Sequence, residues 1–364
     1  MDLNLCEIHE HVSCEILITG ACNLQCSYCI AKHVPRRPMS IEIGQKAIDL
    51  MFYLSEGAKS IEFIFTGGEP LLEYNTLSHL IEYSNTKAQS AGMDISFVLK
   101  TNGTILNSEI LETILKYDID TVISIDGNQQ IHDKHRLAKN GGKTHEIICR
   151  NLKILLQNQV KCTASLTVHP DAIQNVLTGI QTIYNLGIEN IDIGPVYGTV
   201  KWSDSESLQF SQLLFDIADF VFESNKKGVK INIKPIEKES AHRNNTLSES
   251  WGCHAASSNL AFLPNGQISG CSSLAMISNE FPELIIGNVD SGIDQTSLDR
   301  LIYSAQCGTE AKLTCRDCKT SSNCAGGCLA INYSTSGTAF FPPKFYCETI
   351  SNIEKAWNIA WRDY

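Results

Sequence analysis

Eleven of the fifteen cysteines of this chain fall into two groups that lie far apart in the sequence. Cys22, Cys26 and Cys29 stand together near the amino end, and eight others lie between Cys253 and Cys347. The amino terminus lacks the basic and apolar segments of a secretion signal, so we expect a cytoplasmic protein. In that compartment thiols serve as metal ligands or catalytic groups more often than as disulfides. The distribution therefore predicts two metal-rich regions that flank a cysteine-poor body.

Composition indicates a globular protein and excludes several classes of partner. Of the 364 residues, 43% are hydrophobic and 19% are charged. No run approaches the roughly 18 consecutive apolar residues of a membrane span. The 40 acidic residues outnumber the 29 basic ones, which gives a net charge of −11 without any Lys/Arg-rich block. We therefore expect neither a nucleic-acid partner nor a membrane surface.

The body of the chain alternates between strand-like and helix-like segments. Apolar and β-branched runs predict strands at residues 14–20, 61–66, 94–100, 121–126, 160–168 and 190–194. Helical patterns lie at residues 41–54, 76–90, 108–116, 146–157 and 171–186, and a longer helix is predicted at 203–227. This alternation is typical of parallel βα units in an α/β fold. Six units cannot close an eight-stranded barrel, so we expect an open, partial barrel or a curved sheet.

The sequence changes in character after Pro235. Gly, Ser and Asn become frequent, cysteines become dense, and residues 259–271 predict a β-hairpin around a Pro-Asn-Gly turn. We place a domain boundary near residues 236–250. The predicted organisation is a short extension, a barrel and a small cysteine-rich domain, at residues 1–13, 14–235 and 236–364.

The first cysteine group, Cys22-x3-Cys26-x2-Cys29, directly follows the first predicted strand. Three thiolates in one short loop can converge on one inorganic cluster, and a [4Fe–4S] cluster has four irons to ligate. One iron would remain for an outside ligand, which suits a cluster that performs chemistry. A zinc site, or cysteines that pack as small hydrophobic residues, is the alternative.

Three polar motifs follow the next three predicted strands. They are Gly-Gly-Glu-Pro at residues 67–70, Thr-Asn-Gly at 101–103 and Ser-Ile-Asp-Gly at 124–127. The carboxyl ends of parallel strands meet at one edge of a sheet, so these motifs are expected beside the cysteine loop. A glycine pair lets the backbone approach a ligand closely, and a carboxylate beside it suits a positively charged partner.

In this order the motifs resemble those of radical S-adenosylmethionine (SAM) enzymes. That family carries CxxxCxxC after strand one of a partial (β/α)6 barrel and a GGEP-like motif after strand two. The resemblance implies that the three loop cysteines hold a [4Fe–4S] cluster whose open iron binds the amino and carboxylate groups of SAM. One electron from the cluster would cleave SAM to methionine and a 5′-deoxyadenosyl radical, which abstracts a substrate hydrogen. The implied SAM contacts are Gly67, Gly68, Glu69, Asn102, Ser124 and Asp126.

Two further residues have both a family role and an alternative. Tyr28 occupies the family's aromatic position near the adenine, and simple packing explains it equally well. Arg136 ends an HDxxR run in a loop predicted after the fourth strand, and it would meet the SAM carboxylate or form a surface salt bridge. His169 and His254 have no identifiable partner in the sequence and are interpreted as structural.

The second cysteine group resembles that of the SPASM subfamily, whose carboxy-terminal extension holds two auxiliary [4Fe–4S] clusters. Seven cysteines of this chain match that pattern, and seven exceed what one four-coordinate zinc can use. The resemblance assigns an outer cluster to Cys315, Cys318, Cys324 and Cys347, and an inner cluster to Cys253, Cys271 and Cys328. The fourth iron of the inner cluster is either open, which we favour, or bound by Cys307. Of the remaining cysteines, Cys14, Cys149 and Cys162 are interpreted as packing residues. Cys6 is left unassigned.

SPASM enzymes act mostly on peptides or proteins, so the leading hypothesis is an enzyme that matures a ribosomally synthesised peptide, for instance by a thioether or carbon–carbon cross-link. A formylglycine-forming sulfatase maturase is the alternative. Those enzymes carry an aspartate general base and a glutamine where this chain has Ser272 and Lys100. A hydroxyl cannot replace that base at neutral pH. The third hypothesis, a non-enzymatic iron–sulfur electron carrier, does not account for the SAM motifs.

Expected partners follow from the same resemblance. A flavodoxin or ferredoxin is the expected electron donor, and a peptide or protein is the expected substrate. Many peptide maturases have an amino-terminal domain that binds the leader of the precursor, and the 13 residues before the first predicted strand leave no room for one. We therefore expect either a separate leader-recognition protein or binding in the mouth of the barrel.

Overall fold

Seven parallel strands form most of one continuous sheet in the computed structural model, which describes residues 10–31, 34–237, 255–306, 312–324 and 326–362. Each strand pairs in parallel with the next one along the chain. The strands are β1 (His11–Thr19), β2 (Ser60–Gly67), β3 (Asp94–Thr101), β4 (Asp120–Ser124), β5 (Cys162–Val168), β6 (Asn190–Pro195) and β7 (Asn232–Lys234). The predicted α/β class and parallel sheet are confirmed.

Helices connect these strands, as parallel pairing requires. They are α1 (Ile41–Leu54), α2 (Tyr74–Ala91), α3 (Ser108–Lys116), α4 (Gln129–His135), α5 (His145–Gln157), α6 (Val176–Asn185) and α7 (Asp204–Lys226). Helix α1 begins after Ser40, whose hydroxyl oxygen accepts a hydrogen bond from the Ile43 amide at 3.2 Å. Such a cap contributes about 1 kcal/mol, and it explains why α1 starts at the predicted residue.

Strand β2 packs three apolar side chains into the main hydrophobic core. On β2, Ile61, Phe63 and Phe65 are fully buried, whereas Glu62 between them is half-buried on the other face. Met51 of α1 belongs to the same buried cluster. Truncating a buried Phe to Ala costs roughly 3–5 kcal/mol, so this layer holds the strands rigidly beneath the loops at their carboxyl ends.

Three elements of the structure differ from the prediction. Helix α4 occupies a segment predicted as a loop, because its seven residues are too few and too polar to show helical periodicity. The three-residue β7 is likewise too short to predict. The single helix predicted at 171–186 is a 3-10 turn, Pro170–Asn175, followed by α6, because Pro170 starts the turn at its first position.

The carboxy-terminal part extends the same sheet. Strand β8 (Asn259–Phe262) pairs in parallel with β1, and β9 (Gln267–Ser269), β10 (Ile285–Asn288) and β11 (Gly292–Ile293) follow in antiparallel order. The predicted hairpin is confirmed as β8 and β9, with Gly266 at φ +84° in the turn. The domain boundary near residues 236–250 stays a prediction, since most of that segment lies outside the described residues.

Five further helices complete the described structure. They are α8 (Ser272–Ile277), α9 (Gln295–Gln306), α10 (Ser321–Cys324), α11 (Leu329–Ser336) and α12 (Lys344–Ala360). Short 3-10 segments lie at Pro70–Glu73, Pro282–Leu284 and Leu313–Cys315. Helix α12 packs against α7, where the Asn352 amide donates to Ser211 Oγ at 2.8 Å. Among the described residues, every helix is too short or too polar to span a membrane.

Candidate active site

The cysteine loop follows β1 and lies against the end of β2. The amides of Gly68 and Glu69 donate to the carbonyls of Thr19 and Ala21 at 2.7 and 2.8 Å. A Cβ atom on Gly68 would lie 2.2 Å from the Ala21 carbonyl oxygen. One on Gly67, which has φ +129°, would lie 2.4 Å from that of Thr19. The glycine pair is therefore needed for the close approach of these two loops.

The three loop thiols lie close enough to affect one another's ionisation. Burial raises the pKa of Cys26 to about 11, opposed by the Arg136 guanidinium and assisted by the neighbouring thiols of Cys29 and Cys22. Burial likewise raises the pKa of Cys22, whose Sγ accepts a hydrogen bond from the Leu24 amide at 3.4 Å. Three clustered thiols suit an iron–sulfur cluster, whose iron ions stabilise the thiolate form. The donor set therefore fits a [4Fe–4S] group.

Glu69 is fully buried and joins the ends of β2 and β3. Its Oε1 accepts hydrogen bonds from the Thr101 hydroxyl at 2.7 Å and the Leu71 amide at 3.1 Å, and its Oε2 accepts one from the Asn102 amide at 2.7 Å. Burial raises the pKa of this carboxyl to about 7, although the three hydrogen bonds oppose the rise. Three of the four lone pairs of a carboxylate are thus used within the protein.

Asn102 lies directly beside the first cysteine of the loop. Its Nδ2 donates to Cys22 Sγ at 3.7 Å and to Asn23 Oδ1 at 2.8 Å. Its Oδ1 accepts from the amide and hydroxyl of Thr104 at 2.9 and 2.6 Å. The predicted Thr-Asn-Gly motif and the cysteine loop therefore form one hydrogen-bonded unit.

Asp126, just beyond β4, is buried and uses both carboxylate oxygens in the protein. Oδ1 accepts from Arg136 Nη2 at 3.1 Å and from the Thr167 amide at 3.0 Å, and Oδ2 accepts from Arg136 Nε at 2.8 Å and from the Tyr28 hydroxyl. Burial would raise the pKa of Asp126, but the charge and hydrogen bonds of Arg136, together with the Tyr28 hydrogen bond and His132, hold that pKa below its usual value. Ser124, the half-buried last residue of β4, lies two residues away.

The surface salt bridge considered for Arg136 is wrong. Arg136 is only 7% exposed, and its guanidinium lies 5.3 Å from the centroid of the Tyr28 ring. Arg136 therefore forms a desolvated ion pair with Asp126 and a cation–π contact with Tyr28 of the cysteine loop.

The HDxxR run, residues 132–136, also contacts the backbone of Asp126. The Asp126 amide donates to His132 Nδ1 at 3.2 Å, and His132 Nε2 bonds the Thr144 hydroxyl at 3.1 Å. Burial, together with the Arg136 guanidinium, lowers the pKa of His132 to about 3, so this imidazole is neutral at physiological pH. Asp133 Oδ1 accepts from the Thr144 amide at 3.0 Å, which fixes the connection between α4 and α5.

A second anchor of the cysteine loop could not be identified from the sequence. Ser27 Oγ bonds His135 Nδ1 at 2.9 Å, and Asp171 Oδ1 lies 3.0 Å from His135 Nε2 and 2.8 Å from His169 Nδ1. His169, interpreted as structural, thus has a partner. The two imidazole rings are stacked, with an interplanar angle of 27°. The group is best described as a hydrogen-bonded brace, and its partners are too distant in sequence to leave a local signal.

The later cysteines form two spatial groups. Burial, together with the nearby thiols of Cys324, Cys315 and Cys318, raises the pKa of Cys347 to about 11, so these four thiols lie near one another. A different pair of thiols lies near Tyr197. Burial raises the pKa of the Tyr197 hydroxyl, and the thiols of Cys328 and Cys271 add to that increase. The predicted residues Cys253, His254, Cys307 and Cys6 lie outside the described residues.

A buried carboxylate contacts the backbone of Ser272. Glu15, on β1, is 7% exposed, and its Oε2 accepts from the Ser272 amide at 2.6 Å. Its Oε1 accepts from Asn259 Nδ2 at 3.0 Å. The sequence shows Ser272 but not this contact, because 257 residues separate the partners.

Sequence comparison identifies the family and two relatives. The profile of the Radical SAM superfamily matches residues 16–201, which are 186 of the 364 residues. A serine-type anaerobic sulfatase-maturating enzyme of Klebsiella aerogenes is 25% identical over 330 residues, 86% of this chain and 78% of that enzyme. The uncharacterized protein MJ0907 of Methanocaldococcus jannaschii is 37% identical over 124 residues, 34% of this chain and only 41% of that protein.

Solved structures share the fold. Native anSMEcpe with bound AdoMet and the Cp18Cys peptide matches with a TM-score of 0.79 at 18% identity, over 97% of this chain and 100% of that one. Streptococcus suis SuiB bound to the precursor peptide SuiA matches with a TM-score of 0.66 at 14% identity, over 92% and 75%. These identities establish the fold alone, and the profile match over more than half of the sequence establishes the family. The chain belongs to the radical SAM superfamily.

Proposed function

We propose that this protein uses a radical derived from SAM to abstract hydrogen from a peptide, in the maturation of a ribosomally synthesised precursor. The family implies a [4Fe–4S] cluster and SAM, and the relatives belong to the sulfatase-maturase and peptide-modifying type. The observation that carries the proposal is the convergence of the three loop thiols with Asn102 and the buried pair of Asp126 and Arg136.

Cys22, Cys26 and Cys29 would hold the SAM-binding cluster. When bound, this cluster supplies the electron that cleaves SAM to methionine and a 5′-deoxyadenosyl radical. The protein positions the loop: Gly68 and Tyr28 attach it to the ends of β2 and β4. Gly67, Glu69 and Ser124 remain proposed SAM contacts at the same edge of the sheet.

The proposal assigns two auxiliary clusters to the later cysteines. Cys315, Cys318, Cys324 and Cys347 would hold the outer one, which matches their spatial grouping. Cys271 and Cys328, which both lie near Tyr197, would hold the inner one together with Cys253. A flavodoxin or ferredoxin would supply electrons. The leader of the precursor would be recognised either by a separate protein or in the mouth of the barrel.

Iron content and SAM cleavage test this proposal together. Anaerobically reconstituted protein should contain roughly 12 irons and release 5′-deoxyadenosine when reduced with dithionite. A C22A/C26A/C29A variant should lose about four irons and all SAM cleavage. A Cys149→Ala control, outside both cysteine groups, should keep both properties. Wild-type protein without acid-labile sulfide or without 5′-deoxyadenosine would contradict the proposal.

Formylglycine formation is a second candidate with its own support. The relative from K. aerogenes is a sulfatase-maturating enzyme, and Glu15 places a carboxylate against Ser272 despite the missing aspartate. The Cp18Cys peptide that anSMEcpe binds is a suitable probe. A mass loss that corresponds to conversion of its cysteine to formylglycine would establish this second function. Unmodified Cp18Cys, combined with modification of a precursor peptide encoded beside the gene, would establish peptide maturation.

A further inference from the structure

We infer that Asn102 raises the reduction potential of the SAM-binding cluster through a hydrogen bond to the sulfur of Cys22. This inference deepens the proposed function and rests on it, because Cys22 must be a cluster ligand. It assigns Asn102 to the cluster rather than to SAM, so that Asn102 is a positioning and tuning residue.

The Cys22 sulfur accepts two N–H donors. Asn102 Nδ2 lies 3.7 Å from Sγ, within the usual range for a hydrogen bond to sulfur, and the Leu24 amide nitrogen lies 3.4 Å from the same atom. The Leu24 bond belongs to the backbone of the cysteine loop. The Asn102 bond comes from another strand and is therefore the one that a side-chain substitution can remove.

The orientation of the Asn102 amide is determined by its neighbours. Two donors of Thr104 occupy Oδ1, so the opposite end of the amide must be the NH2 group that faces the loop. One of its hydrogens binds Asn23 Oδ1 at 2.8 Å, which leaves the other for Cys22 Sγ. All four hydrogen-bonding positions of the side chain are then in use, and none is left for a polar group of SAM.

Asn102 is also held rigidly in the backbone. Its amide donates to buried Glu69 at 2.7 Å, and the carbonyl of the next residue, Gly103, accepts from Asn151 Nδ2 at 2.9 Å. Only 7% of Asn102 is exposed to solvent. Water therefore cannot readily replace the amide at the sulfur, and a hydrogen bond in such a site is stronger than one in water.

The expected effect has a definite sign. Reduction adds one negative charge to an iron–sulfur cluster, and part of that charge resides on the ligand sulfurs. An N–H donor stabilises the electron-rich sulfur more in the reduced state than in the oxidised state. Hydrogen bonds to sulfur therefore raise the potential, and removal of one lowers it.

The test is an anaerobic redox titration of the reconstituted holoenzyme, followed by the electron paramagnetic resonance signal that changes when SAM is added. Asn102→Leu has nearly the same shape without donors, and Asn102→Asp has the same shape with acceptors only. At a fixed potential, the ratio of reduced to oxidised cluster should fall about tenfold in Asn102→Leu, equivalent to about 59 mV for one electron. It should fall further in Asn102→Asp.

Asn151→Leu is the matched control. It removes the hydrogen bond to Gly103 in the same loop and leaves the sulfur untouched, so it should lower stability without changing the ratio. An unchanged ratio in both Asn102 variants would overturn the inference, as would weaker SAM binding at an unchanged ratio. Wild-type protein without a SAM-responsive signal would instead contradict the proposed function.

Discussion

The carboxylate of Asp126 and the guanidinium of Arg136 form a buried two-point ion pair, with N···O distances of 2.8 and 3.1 Å. The same carboxylate accepts hydrogen bonds from the Tyr28 hydroxyl and the Thr167 amide. One side chain therefore links the cysteine loop, β5 and the end of α4. Because all four lone pairs of the carboxylate are used, Asp126 holds its neighbours in place and has no free acceptor for SAM in this arrangement.

Asp126→Asn should be strongly destabilising. The substitution turns one oxygen into a donor that faces the donors of Arg136 and Tyr28, and it leaves the guanidinium buried without a counter-charge. Breaking a buried pair in this way costs roughly 3–5 kcal/mol. Urea denaturation of the cluster-free protein measures the loss in the free energy of unfolding.

The exposed pair of Asp118 and Lys161, 2.8 Å apart, supplies the control. Asp118→Asn should change the free energy of unfolding by less than about 1 kcal/mol, because solvent screens that pair. Equal effects of the two substitutions would show that the Asp126 pair does not anchor the cysteine loop.

Gly68→Ala should displace the cysteine loop. The new methyl carbon would lie 2.2 Å from the Ala21 carbonyl oxygen and 2.8 Å from that of Gly20, and neither backbone atom can move without the loop. We expect reconstituted protein to lose about four irons while the auxiliary clusters remain. Iron analysis and 5′-deoxyadenosine release measure the effect.

Gly194→Ala is the control for this substitution. A Cβ atom at Gly194, on β6, meets nothing within 4 Å, so its iron content should match that of the wild type. Full iron content in the Gly68→Ala protein would mean that the loop relaxes without losing its ligands.

Local patterns predict much of this fold. The apolar faces of the strands and the caps of α1 and α3 are set by residues next to one another in sequence, so both helices are found at the predicted bounds. Motif order also predicts which loops converge, since the carboxyl ends of parallel strands share an edge. Helix α4 escapes prediction because its seven residues are stabilised by contacts with other elements rather than by an apolar stripe.

The supporting contacts of the site could not be predicted, since they join residues that are distant in sequence. Thr167 lies 41 residues from Asp126, and Asp171 lies 36 residues from His135. Glu15 reaches Ser272 across 257 residues. Spacing in one sequence reveals which residues follow a strand. It does not reveal which of them bind each other rather than a ligand.

His132 should make the protein sensitive to acid. Burial lowers its pKa to about 3 in the folded state, against 6.5 when exposed, so the unfolded chain binds more protons between these values. Stability present above pH 6.5 is therefore lost as the pH falls, by roughly 3 kcal/mol at pH 4. His132→Asn keeps an acceptor for the Asp126 amide and removes the titration, so denaturant unfolding at pH 4 to 7 should show a flatter profile. Parallel profiles of the two proteins would contradict this assignment.

Glu69 should have the opposite effect on the pH dependence of stability, over nearly the same pH range. Its pKa is about 7 in the folded protein, against 4.5 when exposed, so the folded state binds the extra proton and stability falls as the pH rises from 4.5 to 7. The loss amounts to roughly 3 kcal/mol, and it partly cancels the gain from His132. Glu69→Gln removes this term, so its stability relative to the wild type should increase with pH up to about 7 and then level off. The double variant with His132→Asn should show neither slope. A constant difference between Glu69→Gln and the wild type from pH 4.5 to 8 would mean that Glu69 is ionised throughout.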